Sequence, residues 1–559
     1  MKMALLLSPS EQTLHTGLSL PPGTLGVLTA YQRAAGHTVD QYDLDTDLLR
    51  AHDDGVLRGA DLEFLYDRDR VLGYLAGRPD PGIDRFCDVL LSGKPLAGLD
   101  IVGVSLGGSF SWMPIHSGFL LARFVQDRFG VPVAIGGNNI YYLTLFQDVY
   151  RDLWNALTRA FRFIIVGPGH RSLDEIARHA HEPGWPGAST TVDGLVARQP
   201  DGRITFTPKA RAAVLRPDFH GLDLSWYRHW IEDESTAADP AKARAANNEQ
   251  LFKWPPTLTQ YAQRVYHRNP PRGRIPTLVI PYTFNYHCPY ACAFCAESDR
   301  TDPLVIGEAE RVVDDLEYLS AEYDTPYFYF YNNYFNLSKS FVKKFCAEVA
   351  RRGLRIRWQD CARFNNLDLD LLTRIRDSGC QTLWFGMETG GERLMKVVNK
   401  RLTVDRVQAG LDLCRRLGIW ANLEMIVGFP HETVHDFART VRFLHGHRDL
   451  VNYFQANRYF VVPSSTMGRQ PEAFGMTIVR DLYTYESLLA QNLAWFRSGR
   501  DLTTMPNNFD IYGFDEVGGR DHAEIRREGR KRLTLLHDMQ RPEFYETRQM
   551  LRMLDSIVH

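Results

Sequence analysis

Pro276-Thr277-Leu278-Val279-Ile280-Pro281-Tyr282 reads as a short buried strand, and His287-Cys288-Pro289-Tyr290-Ala291-Cys292-Ala293-Phe294-Cys295 follows it within a few residues. The cysteines are spaced C-x3-C-x2-C, so a loop this short wraps three thiolates around one inorganic centre. An ordinary structural [4Fe–4S] cluster takes four protein thiolates, and three leave one iron open to an amino-carboxylate chelate. The competing assignment is a zinc knuckle with His287 or a distant cysteine as fourth ligand. The other five of the eight cysteines (Cys87, Cys346, Cys361, Cys380 and Cys414) are scattered singly, which is not a disulfide framework. Cys346 and Cys414 fall in helical patterns and read as small buried hydrophobes, and Cys361 lies at a strand end where a structural role is the favoured reading.

Downstream of the cysteines a β/α rhythm continues. Strand candidates run at 326–331, 354–359, 381–385, 421–427 and 453–460, separated by helical patterns at 309–322, 339–352, 369–377, 404–417 and 434–444. Together with 276–282 these make six parallel strands, a partial (β/α)6 barrel whose chemistry belongs on the loops after the strands. Upstream, strands at 3–7, 38–44, 100–106, 131–135 and 162–166 alternate with helices at 25–35 and 115–129. That pattern predicts a doubly wound, Rossmann-like α/β domain. Glycine-bearing loops follow three of its strands: Gly107-Gly108-Ser109, Gly136-Gly137-Asn138-Asn139 and Gly167-Pro168-Gly169.

A hairpin is expected around Asp201-Gly202, and the polar stretch 232–250 reads as a linker or cap. The expected divisions are 1–193 for the Rossmann-like domain, 194–275 for the connection, 276–468 for the barrel, and 469–559 for a mixed C-terminal region that caps substrate.

The 559 residues are 44% hydrophobic and 24% charged, which suits several globular domains. Lys and Arg total 65 against 67 Asp and Glu, so bulk charge gives no reason to expect nucleic acid or an anionic membrane as partner. The first residues, MKMALLLSPSEQ, carry an apolar run shorter than a signal peptide's, and no stretch reaches a membrane span. The expectation is a cytoplasmic protein.

With its cysteine motif the chain resembles the cobalamin-binding-domain family of radical S-adenosylmethionine (SAM) enzymes, over roughly residues 1–470. The family's other landmarks appear in order: Tyr331-Asn332-Asn333-Tyr334-Phe335-Asn336, then Trp358 with Ala362-Arg363, then Phe385-Gly386-Met387-Glu388-Thr389-Gly390. Lys400 before Leu402-Thr403 and Ile426-Val427-Gly428-Phe429-Pro430-His431-Glu432-Thr433 complete the series. The resemblance implies a [4Fe–4S] cluster on Cys288, Cys292 and Cys295, with SAM contacted by Phe294, Asn332, Arg363, Glu388 and Asn422. The bland alternative for Arg363 and Glu388 is an ion pair with each other. In the N-terminal half, Leu20-Pro21-Pro22-Gly23, Tyr31, Gly36-His37 and Gly103-Val104-Ser105-Leu106 resemble the cobalamin domain. There the resemblance implies contacts from Ser8, Gly107, Ser109, Gly136, Gly137, Asn138, Gly167 and Gly169.

Departures from the family pattern are Asn332 and Asn333 where relatives have Asp, Gly167-Pro168-Gly169-His170, and Pro463-Ser464-Ser465-Thr466. The Asp-x-His-x-x-Gly signature of histidine-ligated cobalamin is also absent from the sequence. Asp218-Phe219-His220-Gly221 has its glycine too early, and His15 lies in the right loop without the spacing. A base-off cofactor without a protein histidine is therefore expected. The implied reaction is methylation of an unactivated carbon in a natural-product or peptide substrate, through a 5′-deoxyadenosyl radical and methylcobalamin. Ring formation, contraction or rearrangement is the first alternative, and a non-catalytic zinc- or cluster-stabilised binding protein the second. The implied partners are a small-molecule or peptide substrate and an electron donor such as flavodoxin or ferredoxin, with no nucleic acid and no membrane.

Overall fold

Strands Lys2–Leu7 (β1), Thr38–Asp43 (β2), Ile101–Ser105 (β3), Val133–Gly136 (β4) and Phe163–Ile164 (β5) form one parallel sheet in the order β2-β1-β3-β4-β5. β1 and β3 are apolar and buried along nearly their whole length because helices cover both sheet faces. The chain order reverses between β1 and β3, and sheets of this kind bind ligands outside the carboxyl ends of strands at such a switch. The computed structural model describes residues 1–16, 18–107, 110–186, 191–253, 267, 270–299, 302–498 and 505–540.

Between β2 and β3 lie helices that the β/α rhythm does not announce: Leu44–Asp53, Gly59–Leu62, Arg68–Leu75 and Pro81–Leu91. Asp43, Asp67 and Asp80 accept backbone N–H bonds at the starts of three of them. The expected hairpin is present as Val196–Arg198 against Ile204–Phe206. The polar stretch 232–250 is not a bare linker. Asp239 caps a helix over Pro240–Asn248, and His229–Glu232 pairs antiparallel with Arg274–Thr277.

A second parallel sheet contains Val279–Tyr282 (β6), Tyr327–Phe330 (β7), Arg357–Ala362 (β8), Cys380–Glu388 (β9), Trp420–Val427 (β10) and Tyr453–Arg458 (β11), in sequential order. The end strands β6 and β11 do not pair with each other, so the six strands make a partial barrel. Five of the helices between them fall where the pattern puts them, and a further short one covers Glu392–Val397. Those over Lys339–Arg352 and Val404–Leu417 end on left-handed glycines, Gly353 and Gly418. Phe330, Trp358, Phe385 and Leu423 are buried between sheet and helices.

The chain divides into two compact units. One holds Met1–Arg228, Gln260–Pro270 and Tyr483–Phe509; the other holds His229–Thr259, Pro271–Leu482 and Asp510–His559. These limits differ from the sequence divisions, since the single C-terminal region expected at 469–559 is shared between the units. In the first unit Tyr485 meets Trp112 and His116. In the second, helix His522–Asp538 is tied to the barrel by Arg532 and Glu432 at 2.6 Å. No helix among the described residues is long and apolar enough to cross a membrane.

Gly137 follows β4 with φ 109°, and a Cβ there would lie 2.6 Å from the Leu106 carbonyl oxygen. Gly137→Ala should therefore lower stability by roughly 2–4 kcal/mol, combining backbone strain with a clash against main chain. Gly130→Ala, also at positive φ but with no atom within 4 Å, should cost only about 1 kcal/mol. Thermal unfolding of the two variants checks the difference, and equal costs would mean that the Leu106 contact carries nothing.

Candidate functional site

The cysteine loop leaves the carboxyl end of β6 and is fastened on several sides. Ala293 N donates to the Val398 carbonyl (2.9 Å), Met467 N donates to the Ala293 carbonyl (2.9 Å), and Asn399 Nδ2 donates to the Ala291 carbonyl (2.7 Å). Within the loop, Cys295 N donates to the Cys292 carbonyl (3.0 Å), and Thr466 N donates to Ser298 Oγ just beyond it (2.8 Å). Burial pushes the Cys295 thiol up to about 11 and the Cys288 thiol upward as well. A cationic metal centre is what would hold such thiols ionised. Among the described residues no three His, Cys, Asp or Glu side chains converge on one ion's position. A cuboidal cluster asks instead for one thiolate on each of three separate irons, and the three-thiol set fits that requirement. His287, the alternative fourth zinc ligand, has its Nδ1 3.2 Å from Glu297.

Arg363 follows β8 and is 4% exposed. Its Nη2 donates to the Lys400 carbonyl (2.7 Å), its Nη1 lies 3.8 Å from Cys292 Sγ, and its guanidinium sits 3.8 Å from the Tyr290 ring centroid. Glu388 does not pair with it. The partner of Glu388 is Lys400, at 2.6 Å, and both side chains are almost fully buried. The ion pair passes over Gly386, where a Cβ would meet Glu388 Oε1 at 2.4 Å and Lys400 Nζ at 2.7 Å. Glu388 itself has φ 70° at a register shift that ends β9. Phe294 packs 5.6 Å from the Phe429 ring, with Lys400 Nζ 5.9 Å from its own ring centroid.

Two of the expected SAM residues are placed differently. Asn332 Oδ1 accepts from Phe284 N and Asn285 N (2.9 and 2.8 Å), and its Nδ2 donates to Asp360 (2.6 Å). Its amide is therefore engaged in tying β7 and β8 to the exit of β6 rather than offered to a ligand. Asn422 is the third residue of β10, roughly 16 Å before the strand's carboxyl end at ~3.3 Å per residue. Its Oδ1 accepts from Asn452 at 3.0 Å, so it sits toward the sheet edge opposite the cysteine loop and is withdrawn as a ribose contact. Reading the sequence missed Lys400 as a buried partner and Glu424, which lies on β10 two residues after Asn422. For Glu424 a signal existed, since Asn422 and Glu424 are the polar alternates of an otherwise apolar strand.

In the other unit, the carboxyl edge at the β1/β3 switch is built from Ser8, Ser105 and the glycine loops. Ser8 N donates to the Ser105 carbonyl (3.0 Å), while the Ser8 and Ser105 hydroxyls are buried without a partner among the described residues. Asn139 Nδ2 donates to the Gly107 carbonyl (3.1 Å), which leaves Asn138 as the exposed member of that pair. Gly136 and Gly169 have only ordinary contacts around their Cβ positions, whereas Gly167 is covered by the Lys209 stem. Ser109 and the His15 side chain lie outside the described residues. Asp218 is paired with Arg33 at 2.8 Å, and Phe219 is fully buried, so the Asp218-Phe219-His220 segment packs structurally. Unpaired buried hydroxyls beside an open glycine edge fit a large polar ligand.

Lys400→Met should destabilise its unit by roughly 3–5 kcal/mol, because it strands a buried carboxylate. Adding Glu388→Gln should recover at least about 2 kcal/mol of that loss. Urea unfolding of the single and double variants measures the coupling, and strictly additive effects would dissolve the pair.

A family model, the radical SAM superfamily, matches residues 282–444. Over 157 residues (28% of this chain and 34% of the relative) the sequence is 27% identical to an uncharacterised methyltransferase of Pyrococcus horikoshii. Over 281 residues (50% of this chain and 44% of the relative) it is 25% identical to the anaerobic magnesium-protoporphyrin IX monomethyl ester cyclase of Rubrivivax gelatinosus. The chain thus spans less than half the length of these curated relatives. Among solved structures, it is similar to the radical SAM methyltransferase TsrM from Kitasatospora setae with cobalamin and a [4Fe–4S] cluster bound. The TM-score is 0.57 over 96% of this chain and 88% of that one, at 17% identity, which is a likeness of fold. The cysteine loop at the carboxyl edge of the six-stranded partial barrel lies within the residues that the radical SAM superfamily model matches.

Proposed function

We propose that the protein is a cobalamin-dependent radical SAM methyltransferase acting on an unactivated carbon of a small-molecule or peptide substrate. One observation carries the reading: a single chain joins the three-thiol loop at the edge of a partial barrel to a separate doubly wound unit with a glycine-lined switch. Bound there, the cluster with SAM would supply radical chemistry and cobalamin a methyl carrier, the hard chemistry that side chains cannot perform.

The chain's own residues bind and orient. Cys288, Cys292 and Cys295 would hold the cluster. Arg363, with Nη2 fixed on the Lys400 carbonyl and Nη1 directed at the loop, is built to fork onto a carboxylate beside it. Phe294 offers an aromatic face from within the loop, and Glu388, paired with Lys400, would address a polar group of SAM. In the other unit, the Ser8 and Ser105 hydroxyls and the backbone around Gly107, Gly136, Gly137, Asn138 and Gly169 would line the corrin and its tail. A flavodoxin or ferredoxin would deliver electrons.

The cyclase relative, whose match covers half of this chain, supports a second reading in which the same parts close or rearrange a ring without methyl transfer. Product mass after turnover with trideuteromethyl-labelled SAM separates the two, because only the first retains the label.

Anaerobically reconstituted protein should release 5′-deoxyadenosine from SAM on reduction. Replacing Cys288, Cys292 and Cys295 together with Ala should abolish iron loading and that release, while cobalamin binding stays within about twofold, since the two sites belong to different units. Reductive SAM cleavage surviving in the triple variant would overturn the assignment of the cluster.

A further inference from the structure

β10 alternates from Ala421 to Met425: Ala421, Leu423 and Met425 are buried apolar side chains, while Asn422 and Glu424 share the opposite parity. That parity is the barrel's interior face. Glu424 lies in register between Gly386 on β9 and Gln455 on β11, and its charge is felt by Tyr329 on β7, Cys361 on β8 and Tyr453 on β11. A side chain that reaches groups on three other strands points inward.

The charges there do not balance. Glu388 has Lys400 at 2.6 Å, but the Glu424 carboxyl makes no hydrogen bond or ion pair with a described residue. Burial and the neighbouring Glu388 raise its carboxyl to about 8, which Lys400 only partly offsets. An enclosed carboxyl of this kind is stabilised as the anion by an incoming positive charge. A second group on the same face also waits for a partner, since Asn422 is fully buried and its Nδ2 has none among the described residues. Above them Tyr329 and Tyr331 stack at 4.5 Å, and Tyr331 is 51% exposed at the end of β7. A carboxylate beside accessible aromatic faces is the chemistry that recognises a protonated nitrogen.

We propose that Glu424 is a specificity-determining residue of the barrel and binds a protonated amine of the substrate, with Tyr331 alongside. The inference rests on the reading of the barrel interior as the substrate chamber. The contacts of Arg363 are to Lys400, Cys292 and Tyr290 and not to this carboxyl, so a substrate nitrogen can meet Glu424 while the carboxylate tail of SAM meets Arg363. The cationic sulfonium of SAM is the one other source of positive charge, and the test separates it.

Full-length reconstituted protein is titrated with phenethylamine and with its neutral analogue 2-phenylethanol, using ligand-observed NMR, and separately with SAM. The wild type should bind the amine roughly tenfold or more tightly than the alcohol, the range for a hydrogen bond to a charged group. Glu424→Gln should remove that preference without changing alcohol binding, and Glu424→Asp, which keeps the charge, should retain part of it. No amine binding by the wild type, equal binding of amine and alcohol, or an unchanged preference in Glu424→Gln would each overturn the inference. So would weaker SAM binding in Glu424→Gln with amine binding intact, which would hand the carboxyl to the sulfonium. The amine arm needs no SAM cleavage, so failure of the wild type to bind SAM counts against the proposed function and not against Glu424.

Discussion

Four residues, Val398 to Arg401, fasten together the parts on which the barrel's chemistry depends. The Val398 carbonyl takes the Ala293 amide, Asn399 holds the Ala291 carbonyl, and the Lys400 carbonyl takes the Arg363 guanidinium. The Lys400 side chain then crosses to Glu388. Two non-glycine residues adopt left-handed backbone to make this possible, Asn399 at φ 52° and Arg401 at φ 56°. Such conformations cost energy and persist where surrounding contacts over-determine them. One segment thus contacts the cysteine loop, the arginine beside it and the buried ion pair.

The same segment explains the interior electrostatics. Taking charges out of water costs several kcal/mol per ion unless partners are supplied. Lys400 and Glu388 supply each other, and Gly386 gives them room. Arg363 is met by a carbonyl, by two tyrosine rings and by the cysteine loop. Glu424 makes no hydrogen bond or ion pair with a described residue. The barrel thus separates a carboxylate-seeking cation near the cysteines from a cation-seeking carboxyl deeper along β10.

Much of this was legible in the sequence, and what was not has physical causes. The eleven strands of the two parallel sheets were readable, the central ones from apolar runs that burial on both faces requires and the edge strands β2 (TVDQYD) and β11 (YFQANR) from alternation. The helices of 44–91 were not, since each is short, yet Asp43, Asp67 and Asp80 were visible cap residues. The motif residues Cys288, Cys292, Cys295 and Arg363 gather at one edge as their order implied. Asn422 did not, because a motif gives a residue's strand but not its depth along it. Asn332 could be read as polar and near the site, but not as having its amide used by Phe284, Asn285 and Asp360. Partner choice between charged residues was equally hidden. Glu388 could pair with Arg363 or Lys400, and only the bend at the end of β9 decides it.

On the proposed function, three thiolates at the barrel edge hold a cluster whose fourth iron is open. Mössbauer spectroscopy of the iron-57-reconstituted chain, with and without SAM, tests it most directly. The expected result is a [4Fe–4S] spectrum in which one iron site of the four changes when SAM is added, and no such spectrum in the triple cysteine variant. A spectrum indifferent to SAM, or stoichiometric zinc held by the same cysteines in place of iron, would contradict it.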